Sequence, residues 1–234
     1  GLCNPHNPLG MCYPLEDLDH ILRLSEKYGF YIMNDEIWSD IVYSDAEFHS
    51  ILELGTERNA RTLSVYGFSK SYGIAGLRAG CVYCMEPAIF QKIVDASEVM
   101  TTIGGISSLS QVAGIACLEK CRYWLDGFIK QVQENRDYAL ERLRRMPVVR
   151  CYKPQATFVL YADISALPMS AERFTKIARE QYKVAVVPGG ATFFGPGSEG
   201  HFRICLATSH EVLEEGLNRL EQALRDLAND KVNG

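Results

Sequence analysis

The feature that most constrains this chain is an alternation in its first hundred residues: a short apolar run ending in a polar residue, then a helical or turn segment, then another such run. Residues 30–33 (Phe-Tyr-Ile-Met) lead into Asn34-Asp35-Glu36, and residues 63–66 (Leu-Ser-Val-Tyr) lead into Gly67-Phe-Ser-Lys70. Residues 78–83 give a third run, and Leu2-Cys3 reads as the tail of an earlier one. Between Leu2-Cys3 and residues 30–33 the residues call for a helix. Pro14 opens it, Glu16, Asp17 and Asp19 suit the first-turn dipole, Leu15, Leu18, Ile21 and Leu22 share one face, and Gly29 stops it. Apolar strands joined by helices imply an α/β fold whose mostly parallel sheet carries helices on both faces. Ligands of such sheets bind beyond the carboxyl ends of the strands. Asn7, Asp35 and Lys70 follow three successive strand ends, so they are expected to converge on one crevice.

Past residue 85 the pattern changes. Helical stretches are expected over about 86–100, 107–121 and 122–145, and Met146-Pro147 breaks the last. The remainder alternates short strands near 157–162, 184–187 and 202–206 with a helix over 171–182. Thr208-Ser-His-Glu211 has capping-box spacing ahead of a final amphipathic helix. The division falls at 145/146, with a larger α/β part over 1–145 and a smaller α+β part over 146–234.

Composition narrows the classes. The net charge of −5 and the scattered 24 Lys and Arg give no basic face for nucleic acid. The one cluster, Arg136, Arg142, Arg144 and Arg145, lies in a helical pattern with Glu134 and Glu141 and reads as a solvated face. The sequence contains no apolar run of membrane-spanning length, and its first residues do not resemble a signal peptide. Eight cysteines in a chain this long, most of them inside apolar segments, suggest reduced thiols and a cytoplasmic setting. Cys81-Val-Tyr-Cys84 has metal-ligand spacing, but on a strand its two side chains would face opposite ways, so no metal is expected.

Taken in order, Asn7-Pro-Leu-Gly10, Asp35, Ser69-Lys70, Gly76-Leu-Arg78-Ala-Gly80 and Phe202-Arg203-Ile make a series. With it the chain resembles the class I/II aminotransferases, pyridoxal-5′-phosphate enzymes of fold type I. The resemblance implies that Lys70 holds the cofactor as a Schiff base and moves protons once freed. It implies that Asp35 faces the pyridine nitrogen and that Asn7 donates to the ring oxygen. Arg78 would clamp the phosphate with help from Ser69, and Arg203 would take the substrate carboxylate. The expected activity is amino transfer between an amino acid and a 2-oxo acid, in a homodimer.

Two departures qualify the expectation. Many members have tyrosine three residues after the aspartate, where this chain has Trp38, whose indole donates but carries no hydroxyl. Asp35-Glu-Ile-Trp-Ser-Asp40 is also similar to the cystathionine β-lyase-like carbon–sulfur lyases, which makes β-elimination the alternative activity. The chain also begins at the asparagine motif without Met, where family members carry an earlier segment. Either that segment exists elsewhere, or the product is truncated and without catalytic activity.

Overall fold

A computed structural model of the chain describes residues 1–101 and 105–229. These fall into two compact units, the first made of Gly1–Asn7, Met11–Ile129 and Gln155–Thr157, the second of Pro8–Gly10, Lys130–Pro154 and Phe158 onward.

The first unit holds β1 (Leu2–Cys3), α1 (Leu15–Tyr28), β2 (Ile32–Asp35), β3 (Thr62–Gly67), the four-residue α2 (Phe68–Ser71), β4 (Gly80–Cys84), α3 (Pro87–Ser97) and α4 (Ser108–Lys120). It also holds the start of α5 (Arg122–Arg144). α1 has the boundaries its sequence called for, with Pro14 at the N-cap and Gly29 left-handed at φ 71°, its N–H bonded to the Ser25 carbonyl. Its apolar face buries Leu18 and Leu22 against Leu2, Ile32 and Ile51. Burying each such side chain contributes about 1.5–3 kcal/mol.

The sheet runs β1-β2-β3-β4, with β1, β2 and β3 parallel and β4 antiparallel to β3. The apolar run at residues 78–83 pointed to another parallel strand, and the reason for the reversal lies in the connection. Between β3 and β4 stand only α2 and a 3₁₀ turn at Ala75–Leu77, too little helix to carry the chain back along the sheet. One face of the sheet packs on α1; on the other, Met33 is 63% exposed and Val82 45%.

The antiparallel pairing sets Gly67 opposite Gly80. A Cβ on Gly80 would lie 2.9 Å from the Tyr66 carbonyl oxygen, a backbone atom that cannot step aside cheaply. Gly80→Ala is therefore expected to lower stability by about 1–3 kcal/mol. Urea unfolding should show a lower midpoint at unchanged m-value.

The second unit carries β5 (Arg150–Cys151), β6 (Val159–Asp163), α6 (Ala171–Glu180), β7 (Val187–Pro188), β8 (His201–Cys205) and α7 (His210–Asn229). Its strands pair antiparallel in the order β5-β6-β8-β7. Two local expectations change here. The cap of α7 is Ser209, whose Oγ accepts from the Val212 N–H at 3.4 Å and whose carbonyl starts the helix; Thr208 lies one residue outside. The α5 arginines are not one solvated face. Arg136 is 1% exposed, with its guanidinium on the Asp137 carboxylate and the Pro154 carbonyl, and Arg142 reaches Glu221 and Asn218.

Cys81 and Cys205 are exposed rather than packed as small hydrophobes. Cys81 and Cys84 stand three apart on β4, so their side chains leave opposite faces. Among the described residues no helix is long and apolar enough to cross a membrane.

Candidate active site

Register alone assembles one end of the first unit's sheet. Cys3 pairs with Asp35 and Asp35 with Val65, so β1, β2 and β3 finish side by side, about 4.8 Å from strand to strand. Asn7 follows β1, Asp35 closes β2, and Ser69 and Lys70 sit in α2 directly after β3. Arg78 precedes β4, and only because β4 runs antiparallel does its start lie at the edge where the other strands end.

Each side chain has a local cause for its position. Asp35 is half-buried, and its Oδ1 accepts from the Ile37 N–H at 3.0 Å, a turn that fixes the carboxylate at the strand terminus. The turn sends the chain down to Trp38, 4% exposed. The ammonium of Lys70 lies over the Trp38 ring, 5.2 Å from its centroid. The indole is thus in contact with the lysine, beyond the buried-aromatic role that the residue type alone would assign it.

Arg78 is left-handed at φ 53°, a conformation that costs a non-glycine residue of order 1 kcal/mol and that clusters at functional sites. It is held there from both sides. The Arg78 N–H bonds the Ala75 carbonyl at 3.2 Å, and Ser110 Oγ, at the start of α4, donates to the Leu77 carbonyl at 2.7 Å. The turn before Asn7 is pinned by Asn4, fully buried, which donates to the His49 carbonyl at 2.8 Å and accepts from the Tyr13 N–H at 3.1 Å. Burial pushes the nearby Cys3 thiol above its usual value, against the opposing pull of the Asn7 N–H.

Behind Asp35 lies a polar cluster that sequence reading missed. Glu36 is 4% exposed and accepts from Asn34 Nδ2 at 2.8 Å, Ser50 Oγ at 2.5 Å and the Tyr83 hydroxyl at 2.9 Å. Asn34 also donates to Ser64 Oγ at 3.0 Å, so β2, β3 and β4 are cross-linked on the α1 face. The available signal was parity: in Asn34-Asp35-Glu36 the outer two share a face and the middle one takes the other. Beside it, Tyr66 donates to Asp40 Oδ2 at 2.5 Å. Burial first, then the facing carboxylate, pushes both the Tyr66 and Tyr83 hydroxyls above the ordinary phenol value.

In the second unit, Arg203 stands in the middle of β8, opposite Tyr161 of β6 and Val187 of β7. It is half-buried, and desolvation lowers its guanidinium from the ordinary value.

Residues 2–220 match the family described as aminotransferase class I and II. The chain belongs to this family. It is 33% identical over 222 residues to an aspartate aminotransferase of Pyrococcus horikoshii, a match covering 94% of this chain and 55% of the relative. It is 30% identical over 224 residues to a cystathionine beta-lyase of Bacillus subtilis, covering 95% and 57%. Among solved structures, cystalysin from Treponema denticola, which contains a pyridoxal 5′-phosphate cofactor, superposes with a TM-score of 0.90 at 26% identity, over 97% of this chain and 57% of that one. The chain thus spans about half the length of the aminotransferase-family relatives it matches, and the α/β fold is shared across that span.

Proposed function

We propose that the chain works as a pyridoxal-5′-phosphate-dependent aminotransferase, moving an amino group between an amino acid and a 2-oxo acid. The observation that carries this reading is the Lys70 ammonium over Trp38 at the edge where β2 ends in Asp35, in a chain belonging to this family. The donor set at that edge suits the cofactor group by group: an amine for its aldehyde, a carboxylate for its ring nitrogen, an amide for its ring oxygen, a guanidinium and a hydroxyl for its phosphate.

When bound, the cofactor supplies an aldehyde for the amine and a protonated ring that draws off electrons. The protein's residues do the rest. Lys70 would hold the group through its amine and, when free, would move the proton at the substrate Cα. Asp35 keeps the ring nitrogen protonated, and Asn7 donates to the ring oxygen. Trp38 packs where relatives place a phenol, without its hydroxyl. Arg78 and Ser69 hold the phosphate. Arg203 receives the substrate carboxylate. In this reading residues 1–145 serve the cofactor and residues 146–234 form a smaller carboxyl-terminal domain, working in a cytoplasmic homodimer.

Arg203 tests whether the substrate is an amino acid. A desolvated carboxylate needs a charged, geometrically matched partner, and charge-assisted bonds contribute about 1.5–3 kcal/mol. At about 1.4 kcal/mol per tenfold, Arg203→Ala is expected to lower kcat/KM by one to two orders of magnitude. Arg203→Lys should recover part of this, since a point charge lacks the planar fork. Cofactor content, read by absorbance, should stay unchanged. Unaltered amino-acid kinetics in Arg203→Ala would reopen the substrate class to simple amines.

A second reading within the same cofactor class is β-elimination from a sulfur amino acid. It is favoured by Trp38 within Asp35-Glu-Ile-Trp-Ser-Asp40 and by the likeness to the cystathionine beta-lyase of Bacillus subtilis. Pyruvate and thiol released from cystathionine, set against amino transfer that depends on a 2-oxo acid, separates the two activities.

A further inference from the structure

Arg203 has a neighbour whose placement the reading above leaves unexplained. Phe194, half-buried in the loop between β7 and β8, lies under the guanidinium, with Cζ of Arg203 5.2 Å from the ring centroid. The ring is braced. Tyr161 meets it edge-on, centroids 5.5 Å apart at 72°, and is itself stacked on His201 at 4.9 Å and 6°. The loop is braced as well. The Phe194 N–H bonds the Gly190 carbonyl at 3.0 Å. Ser198 Oγ accepts from the Gly190 N–H at 2.7 Å and donates to the Gly195 carbonyl at 2.6 Å. The Tyr161 hydroxyl donates to the Ser198 carbonyl at 3.3 Å, and Gly189 passes so close that a Cβ there would fall 1.9 Å from that same oxygen.

We propose that Phe194 is a positioning residue for Arg203, its ring face fixing the plane of the guanidinium so that the fork is already oriented when a carboxylate arrives. This rests on the carboxylate role given to Arg203 above. A guanidinium is weakly hydrated and stacks on aromatic faces, while its N–H donors lie in its own plane. A ring on its face therefore replaces water without competing for the edge that binds a carboxylate. Burial, which already draws the Arg203 guanidinium below its ordinary value, makes that replacement more valuable. Orienting the fork beforehand also removes an ordering cost from the binding step.

The test is acetate binding to the cofactor-loaded protein, followed through the Arg203 Nε–H signal in 15N-labelled protein, which Arg203→Lys identifies by its loss. Phe194→Leu is expected to weaken acetate binding and raise KM for the amino acid by roughly 3- to 30-fold, with kcat nearly unchanged. Faster rotation about the Arg203 Nε–Cζ bond should accompany the loss, a signature that a merely structural side chain would not give. Phe194→Tyr keeps the ring face and should bind acetate as the parent does. Phe194→Met, of similar bulk without a ring, gives the same reading should the leucine variant fail to fold. Parental acetate binding in both Phe194→Leu and Phe194→Met overturns the proposal, as does a Phe194→Tyr protein as weak as Phe194→Leu. If an Arg203→Ala protein retains the amino-acid kinetics of the parent, it is the carboxylate role of Arg203 that fails instead.

Discussion

Lys70→Ala is expected to abolish turnover, lowering kcat/KM by at least about 10⁴-fold, the upper end of what one positioned acid–base group supplies. In the proposed reading the alanine takes away two functions together, an amine that would anchor the cofactor and a base that would move the α-proton. Lys70→Arg is the sharper variant. It keeps a cation able to lie over the Trp38 ring, so the packing contact survives. A guanidinium, however, is never deprotonated at working pH and cannot act as a neutral amine. Lys70→Arg should therefore be as inactive as Lys70→Ala while melting close to the parent. Borohydride treatment of the cofactor-loaded parent should fix the cofactor to the peptide containing Gly67–Lys70. Label on a different lysine, or turnover in Lys70→Arg within tenfold of the parent, would mean that Lys70 only packs on Trp38.

The second large effect belongs to Asp35. Asp35→Asn removes the charge and little else. The turn at the end of β2 depends on Asp35 Oδ1 accepting from the Ile37 N–H, and an asparagine Oδ1 can accept the same bond. A neutral amide cannot hold a ring nitrogen protonated by charge, and a lost charge-assisted bond of about 3 kcal/mol corresponds to roughly 100-fold. We expect kcat to fall by at least about 100-fold, with the cofactor still bound and the melting temperature nearly unchanged. Trp38→Phe, which retains an aromatic face for Lys70, should stay within about tenfold of the parent. Near-normal turnover in Asp35→Asn would show that this carboxylate does not face the ring. The stepwise order Lys70, Asp35, Trp38 is itself informative, because a purely structural cluster would instead rank its members by burial. On that scale Trp38, at 4% exposed, would come first.

Much of this architecture was legible in the residues, and the parts that were share a physical basis. The limits of α1 are written in Pro14 and Gly29 because each acts on its own backbone. The long helix over Arg122–Arg144 and the strand at Thr62–Gly67 follow from periods that need only near neighbours. Asp35 and Lys70 stood out because a parallel sheet turns sequence separation into lateral neighbourhood at its carboxyl edge. The tertiary structure decided whatever depends on chain direction and on partners distant in sequence. β4 reverses because the segment after β3 folds into two short helical turns, which brings Arg78 to the site edge from the opposite sense. Arg136 is buried because the Pro154 carbonyl meets its guanidinium, although its neighbours in sequence look like those of a surface helix. The Glu36 cluster and the Phe194 ring under Arg203 are likewise pairings of residues that no local period relates. Periodicity and caps report on energies local to one element; a strand's direction, a buried charge's partner and the ring beneath an arginine are set only when separate elements compete to pack.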